Sequence, residues 1–152
     1  MSIEDRLNEL GIALPEAAAP VASYLPVVVE GGFAHVSGQL PFVEGSVVTG
    51  RLGENVTPDE GQAAAHACGL MILAQLKQAG LLEKVRRVVK LGVFVSSTPE
   101  FTGQPAIANG ASDLMAEVFG DAGRHARAAV GVAALPLGAV VEVDAILAVE
   151  MD

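Results

Sequence analysis

The sequence predicts an α+β fold in which a mixed β-sheet is covered on one face by two helices. Three observations carry this expectation. Strand-like and helix-like segments follow one another in the order β-β-β-α-β-α-β-β. Both helical stretches present small side chains at helical spacing, so each can lie close against a sheet. The chain has 152 residues, 51% of them hydrophobic and 18% charged. That is enough to fill the core of one ordinary domain and far from a disordered composition. One domain spanning residues 1–152 is expected, with residues 1–26 forming an N-terminal helix and an extended arm.

Ile3, Leu7 and Leu10 form a short amphipathic pattern that ends at Gly11, and the Ala- and Pro-rich stretch from Ala13 to Pro26 reads as the arm. Val27–Glu30 and Phe33–Ser37, split by Gly31-Gly32, have the β-branched content and punctuation of an antiparallel hairpin. Gly45–Gly50 reads as a third short strand between glycines. The first long helix is announced by Thr57-Pro58-Asp59-Glu60: Thr57 can cap, Pro58 suits the first helical position, and Glu60 can reach back in a capping box. Ala64, Ala67, Cys68, Met71 and Ala74 then recur at helical spacing until Gly80. Val85–Val95 is a long β-rich run and reads as a central strand. A second helix is expected from about Pro105 to Phe119, with Ile107, Ala111, Leu114 and Val118 on one face and Gly120 ending it. Two strands follow, Ala128–Ala133 and Val140–Val149, joined by a turn at Leu135–Gly138. The sheet face away from the helices needs cover, and identical subunits are the obvious source.

Composition excludes several classes of function. Nine Lys and Arg against 18 Asp and Glu give a net charge of −9. Such a surface repels phosphate backbones, so nucleic acid is a poor partner. No apolar run approaches the length of a bilayer span, and the N-terminus lacks the basic start and apolar stretch of a secretory signal. One cysteine, Cys68, cannot form an internal disulfide and suits the cytosol, and its place on a helical face reads as a small buried hydrophobe. A mean hydropathy of +0.47 with no tryptophan means an aliphatic core. Either some apolar surface is buried between subunits or the chain is an aliphatic-rich monomer. The glycines match no phosphate-cradling or dinucleotide pattern, and His35, His66 and His125 are scattered, so neither a cofactor nor a metal is expected.

Two places could carry chemistry. Gly123-Arg124-His125-Ala126-Arg127 is a dense cationic spot beside a strand. Its guanidinium forks could bind a carboxylate bidentately or could close salt bridges with the many acids of the chain. In Val140–Ile146 the alternation puts Glu142 and Asp144 on one face and Val141, Val143 and Ala145 on the other. An exposed face explains both acids; a face met by another subunit would partly desolvate Glu142 beside that chain's arginine and let it orient or activate water.

Ser37-Gly38-Gln39-Leu40-Pro41 after a hairpin, Arg127 opening a strand, Leu135-Pro136 and Val141-Glu142-Val143-Asp144-Ala145-Ile146 together resemble the RidA/YjgF family, also called the L-PSP endoribonuclease family. The resemblance runs from about Pro20 to Glu150 and is nearest to a longer subgroup in which the arginine follows Gly-Arg-His-Ala. It implies a chorismate-mutase-like α+β fold assembled as a homotrimer, with sites in the clefts between subunits. It also implies hydrolysis of reactive 2-imino acids to 2-keto acids and ammonia, so that the partner is a small carboxylate-bearing imine or keto acid. By the same resemblance Arg127 grips the carboxylate and Glu142 holds or activates water. Tyr24 lines the pocket from the adjacent subunit, Ser37 and backbone groups near Gly38 help hold the acid, and Asn109 matches a family asparagine. A non-catalytic module that binds or senses small carboxylates on the same fold is the alternative. Two departures stand out: Ala129 replaces a cysteine frequent in the family, and the segment from Ser96 to Ala108 is longer than in short members.

Overall fold

The computed structural model describes residues 1–20 and 22–152; Val21, within the expected arm, lies outside them. A five-stranded sheet is built from β1 (Val27–Glu30), β2 (Phe33–Gln39), β5 (Val85–Ser96), β6 (Ala126–Val132) and β7 (Val141–Val149), in the order β1-β2-β7-β5-β6. Its neighbours run antiparallel except β5 and β6, which run parallel. A parallel pair needs a crossover, and the helix α3 (Gln104–Phe119) supplies it. The long helix α2 (Pro58–Gln78) lies beside α3 on the same face of the sheet.

Local chemistry explains where these elements start. Thr57 and Glu60 form the expected reciprocal cap. Glu60 N–H donates to Thr57 Oγ1 at 3.2 Å, and Thr57 N–H donates to Glu60 Oε1 at 3.0 Å. The short helix α1 (Ile3–Glu9) begins with a second capping box, Ser2 with Asp5. The arm packs on α2, where the buried Gln75 donates through Nε2 to Ala18 O at 2.7 Å.

The expected third strand is not part of the main sheet. Its residues pair instead in a two-stranded hairpin of β3 (Phe42–Val43) and β4 (Ser46–Val47). The turn Glu44-Gly45, with both residues at positive φ, folds the segment back on its own predecessor. The strand expected from Ala128 starts two residues earlier, since pairing with β5 begins at Lys90 opposite Ala126.

Between helices and sheet lies an aliphatic core including Leu52, Ile72, Leu73, Leu91, Val93, Ile107, Leu114, Val143 and Leu147, all essentially inaccessible. Small residues let α2 and α3 approach closely. A Cβ on Gly69 would sit 2.8 Å from Leu114 Cδ2, and one on Gly110 would overlap the carbonyl oxygen of Gln62 and lie 3.1 Å from His66 N. The burial pattern of β7 alternates strictly, with Val141, Val143, Ala145, Leu147 and Val149 facing the helices. The other sheet face is open. Val28, His35, Lys90, Phe94, Asp144 and Ile146 line a shallow depression of about 420 Å³ on it.

Candidate functional site

Arg127 is the second residue of β6, an edge strand, directly opposite Leu91 of β5 and therefore on the helix side of the sheet. Its Nη1 donates to Asn109 Oδ1 at 2.8 Å and to Ser112 Oγ at 3.1 Å, both from α3. Ser112 Oγ lies 2.8 Å from His125 Nε2, and His125 Nδ1 lies 2.6 Å from the carbonyl oxygen of Gly123. Among the described residues the ion pairs are Arg6 with Glu9, Lys77 with Glu4 and Lys84 with Asp152, so the guanidinium of Arg127 is held by neutral acceptors alone. Nη1 has two hydrogens and two acceptors; Nε–H and Nη2 have no protein partner among the described residues. Those two groups form one edge of the guanidinium and are spaced to grip a carboxylate. Arg127 opens onto a cavity of about 520 Å³ whose wall includes Asp113, Asp121, Arg124 and His125.

Glu142 belongs to a second cluster. The segment Ser37-Gly38-Gln39 interrupts the register between β2 and β7 and is pinned on both sides. Ser37 N–H donates to Pro26 O at 2.9 Å and Ser37 Oγ to Leu25 O at 2.8 Å; Gln39 Nε2 donates to Ser37 O at 2.9 Å and Gln75 Nε2 to Gln39 Oε1 at 3.2 Å. The Ser37 hydroxyl therefore uses its hydrogen to fix the chain beside Tyr24. Gly38 has an ordinary φ, so its missing side chain matters for space. A Cβ there would overlap Glu142 Oε2 and sit 2.7 Å from Glu142 Cδ. Burial, and then the neighbouring charge of Asp144, pushes the Glu142 carboxyl above the ordinary carboxylate range. Asp144 is raised as well, first by burial. Tyr24, Gly38, Gln39 and Leu137 line a small adjoining pocket of about 50 Å³.

The six residues singled out by sequence thus fall into two groups. Arg127 and Asn109 come together at the sheet edge; Tyr24, Ser37, Gly38 and Glu142 come together around the β2 bulge. One chain does not join the groups. Glu142 is opposite Phe94, itself opposite Val130, so two strand spacings and three residues along the strand separate Glu142 from Arg127. At about 4.8 Å per strand and about 3.3 Å per residue their backbones are roughly 14 Å apart, and the odd separation puts the side chains on opposite faces. Ala129 lies on the Arg127 face, in the position of the family cysteine. The segment after Ser96 forms a wall of a further cavity of about 620 Å³, with Thr98, Phe101 and Gln104 facing Arg51 and Gly131.

Sequence reasoning missed Ser112 and His125 as functional residues. The motif around Arg127 draws attention to the arginines, and the histidine reads only as one of three scattered ones. No group of three or more His, Cys, Asp or Glu within reach of a single ion occurs among the described residues. Among the same residues no helix is long and apolar enough to cross a membrane.

A sheet with two helices on one face, the Ser-Gly-Gln bulge and an arginine at the sheet edge define the class of protein. The family model described as "YjgF/chorismate mutase-like, putative endoribonuclease" matches residues 4–149, and the chain belongs to this family. A curated relative, "Protein TCP17" of Trypanosoma cruzi, is 57% identical over 144 residues, covering 93% of this chain and 90% of its own. A second, from Dermatophagoides farinae, is named 2-iminobutanoate/2-iminopropanoate deaminase; it is 32% identical over 139 residues, covering 91% of this chain and 95% of its own. Among solved structures, a protein of unknown function from Agrobacterium tumefaciens superposes with a TM-score of 0.90 at 51% identity, covering 97% of this chain and 92% of that one.

Proposed function

We propose that this protein hydrolyses small 2-imino acids to 2-keto acids and ammonia, at sites assembled between three copies of the chain. The observation that carries the proposal is the state of Arg127, tethered through Nη1 by Asn109 and Ser112, unpaired with any carboxylate among the described residues and open to a cavity. That is the chemistry required to anchor the carboxylate common to imine substrate and keto product. The imine deaminase name of a 32% identical relative supports the same substrate class.

The reaction asks little of a protein. Water adds its oxygen to the electrophilic C=N carbon and a proton goes to nitrogen; the carbinolamine then collapses, the C–N bond breaks and ammonia leaves with a second proton. The site must orient water, fix the acid and handle protons. A carboxylate that holds its proton more tightly than usual, as Glu142 does, is a better base for that water. Since Glu142 and Arg127 of one chain face opposite ways, a shared site needs the Glu142 cluster of one copy beside the Arg127 edge of another. The open sheet face, with Phe94, Ile146 and the half-exposed Val28 and Val130, has the apolar character of a surface that other copies cover. The lone buried Cys68 fits work in the cytoplasm, and the net charge of −9 favours a small molecule over RNA.

A second reading, a module that binds 2-keto acids without turnover, draws on the same separation, because within one chain Glu142 stands far from any ligand that Arg127 holds. Two measurements test both readings. Decay of 2-iminobutanoate, generated in situ by a threonine dehydratase, should accelerate with the protein and return to the buffer rate with Arg127→Ala. Calorimetric binding of 2-ketobutyrate without such acceleration supports the module; wild type and buffer decaying alike, without binding, refutes both.

A further inference from the structure

We propose that Ser112 and His125 form a relay that positions Arg127, fixing which edge of its guanidinium meets the ligand. This rests on the reading of Arg127 as the carboxylate anchor.

The direction of every bond in the relay follows from elementary donor and acceptor chemistry. A guanidinium only donates, so Ser112 Oγ accepts from Arg127 Nη1 across 3.1 Å. A carbonyl only accepts, so the hydrogen between His125 and Gly123 O, 2.6 Å apart, belongs to Nδ1. In the neutral ring Nε2 is then an acceptor. It takes the Ser112 hydroxyl hydrogen across 2.8 Å. The chain of donation runs from Arg127 Nη1–H to Ser112 O–H to His125 Nε2, and the ring is anchored through Nδ1–H on Gly123. Gly123 is itself fixed, because a Cβ there would overlap the carbonyl oxygen of Met115 in α3 and lie 2.5 Å from its carbon. The relay therefore ends on backbone.

Its consequence is geometric. An arginine stem is long, and holding it in one rotamer costs conformational entropy that a ligand would otherwise have to overcome. With Asn109 and Ser112 occupying Nη1, the Nε–H and Nη2–H pair is the edge left available to a ligand in the cavity that Arg127 lines. Among the described residues His125 reaches Arg127 only through Ser112, and it acts by keeping the Ser112 hydroxyl turned so that its lone pair faces Arg127. Charged groups around the ring are Arg127 of the strand that follows it, the adjacent Arg124, Asp121 of the preceding turn, and Asp113 of α3.

The test uses wild-type protein and the variants Ser112→Ala, His125→Ala and His125→Gln, whose amide oxygen can replace Nε2 as acceptor. For the deaminase reading, KM for 2-iminobutanoate should rise about 5- to 20-fold in Ser112→Ala and about 3- to 10-fold in His125→Ala, as expected for a lost hydrogen bond to a charged group or to its support. kcat should stay within about twofold, and His125→Gln should recover most of the loss. Equal losses in the Gln and Ala variants, or a fall in kcat with KM unchanged, overturn the proposal. Nitrogen NMR supplies a readout independent of activity: His125 should be the Nδ1–H tautomer, and the Arg127 Nε–H signal should be rigid in wild type and His125→Gln but mobile in the two alanine variants. An Nε2–H tautomer, or an Arg127 signal equally rigid in all four proteins, refutes the relay even if catalysis is absent. A correct tautomer and rigidity with no turnover uphold the relay and reject the deaminase.

Discussion

Replacing Gly38 by alanine adds a single methyl group where the Glu142 carboxylate stands. The new carbon would overlap Oε2 and sit 2.7 Å from Cδ and 3.0 Å from Cγ. Relaxed carbon contacts are about 3.5–4.0 Å, so the carboxylate must retreat by about 1 Å. Because the obstructing atoms are the end of a flexible side chain, the stability cost should be near the low end for overpacking, about 1 kcal/mol, or roughly 2–4 °C in Tm. Catalysis should suffer far more. A displacement of this size at a group that orients the attacking water costs on the order of 100-fold in rate. The coupled 2-iminobutanoate assay on Gly38→Ala, Glu142→Gln and the double variant isolates the mechanism. If the alanine acts by moving Glu142, it should cost almost nothing further once Glu142 is already glutamine. An alanine variant within about twofold of wild type, or an equal loss in both backgrounds, would refute the steric reasoning.

Each cluster can be probed separately. Arg127→Lys keeps the charge but loses the fork and one tether, so KM for the imine should rise roughly 10- to 100-fold, and an unchanged KM would mean that charge alone suffices. Glu142 must be deprotonated to act as a base, and burial together with Asp144 raises its proton affinity. The acid limb of kcat should therefore lie above the ordinary carboxylate range and move to lower pH in Asp144→Asn. The same shift predicts stability that is greatest below the ordinary carboxylate value and declines as pH rises through the raised one; thermal melts of Asp144→Asn against wild type should therefore diverge toward neutral pH. Mixing inactive Arg127→Ala and Glu142→Gln chains after joint refolding should restore about a quarter of the sites, if each site takes one residue from each of two neighbours in a ring. Mixtures as inactive as their parents would confine the site to one chain.

Much of the fold is legible from local rules. The capping box at Thr57 and Glu60 and the alternation of Val141 to Val149 are written in spacing alone, and both hold in the structure. The strand expected at Gly45–Gly50 forms over Ser46–Val47 but outside the main sheet, because its β-branched residues signal only extended backbone; which neighbour they pair with is decided by the turn at Glu44-Gly45. Arg127 stands out by charge and Glu142 by its place, with Asp144, on a strand whose other residues are apolar. That their side chains oppose one another across the sheet depends on strand order and parity, visible only once β5 is known to lie between β6 and β7. Ser112 and His125 are invisible for a related reason: they sit 13 residues apart on a helix and at a strand entry, and only the crossover returns one to the other.

The tight crossing of α2 and α3 has a consequence beyond packing. Gly110 follows Asn109 directly and precedes Ser112 by two positions, so the point where the two helices are jammed together is also the turn that holds the arginine. Gln62 abuts Gly110 through its carbonyl and donates from Nε2 to Ala106 O at 2.7 Å. It stands outside the cavity that Arg127 faces, yet it sets how closely α3 lies against α2. A bulkier side chain anywhere along that seam would tilt the turn like a shim under a hinge and re-aim the anchor. Differences in ligand preference among relatives can therefore originate in helix surfaces that no ligand reaches.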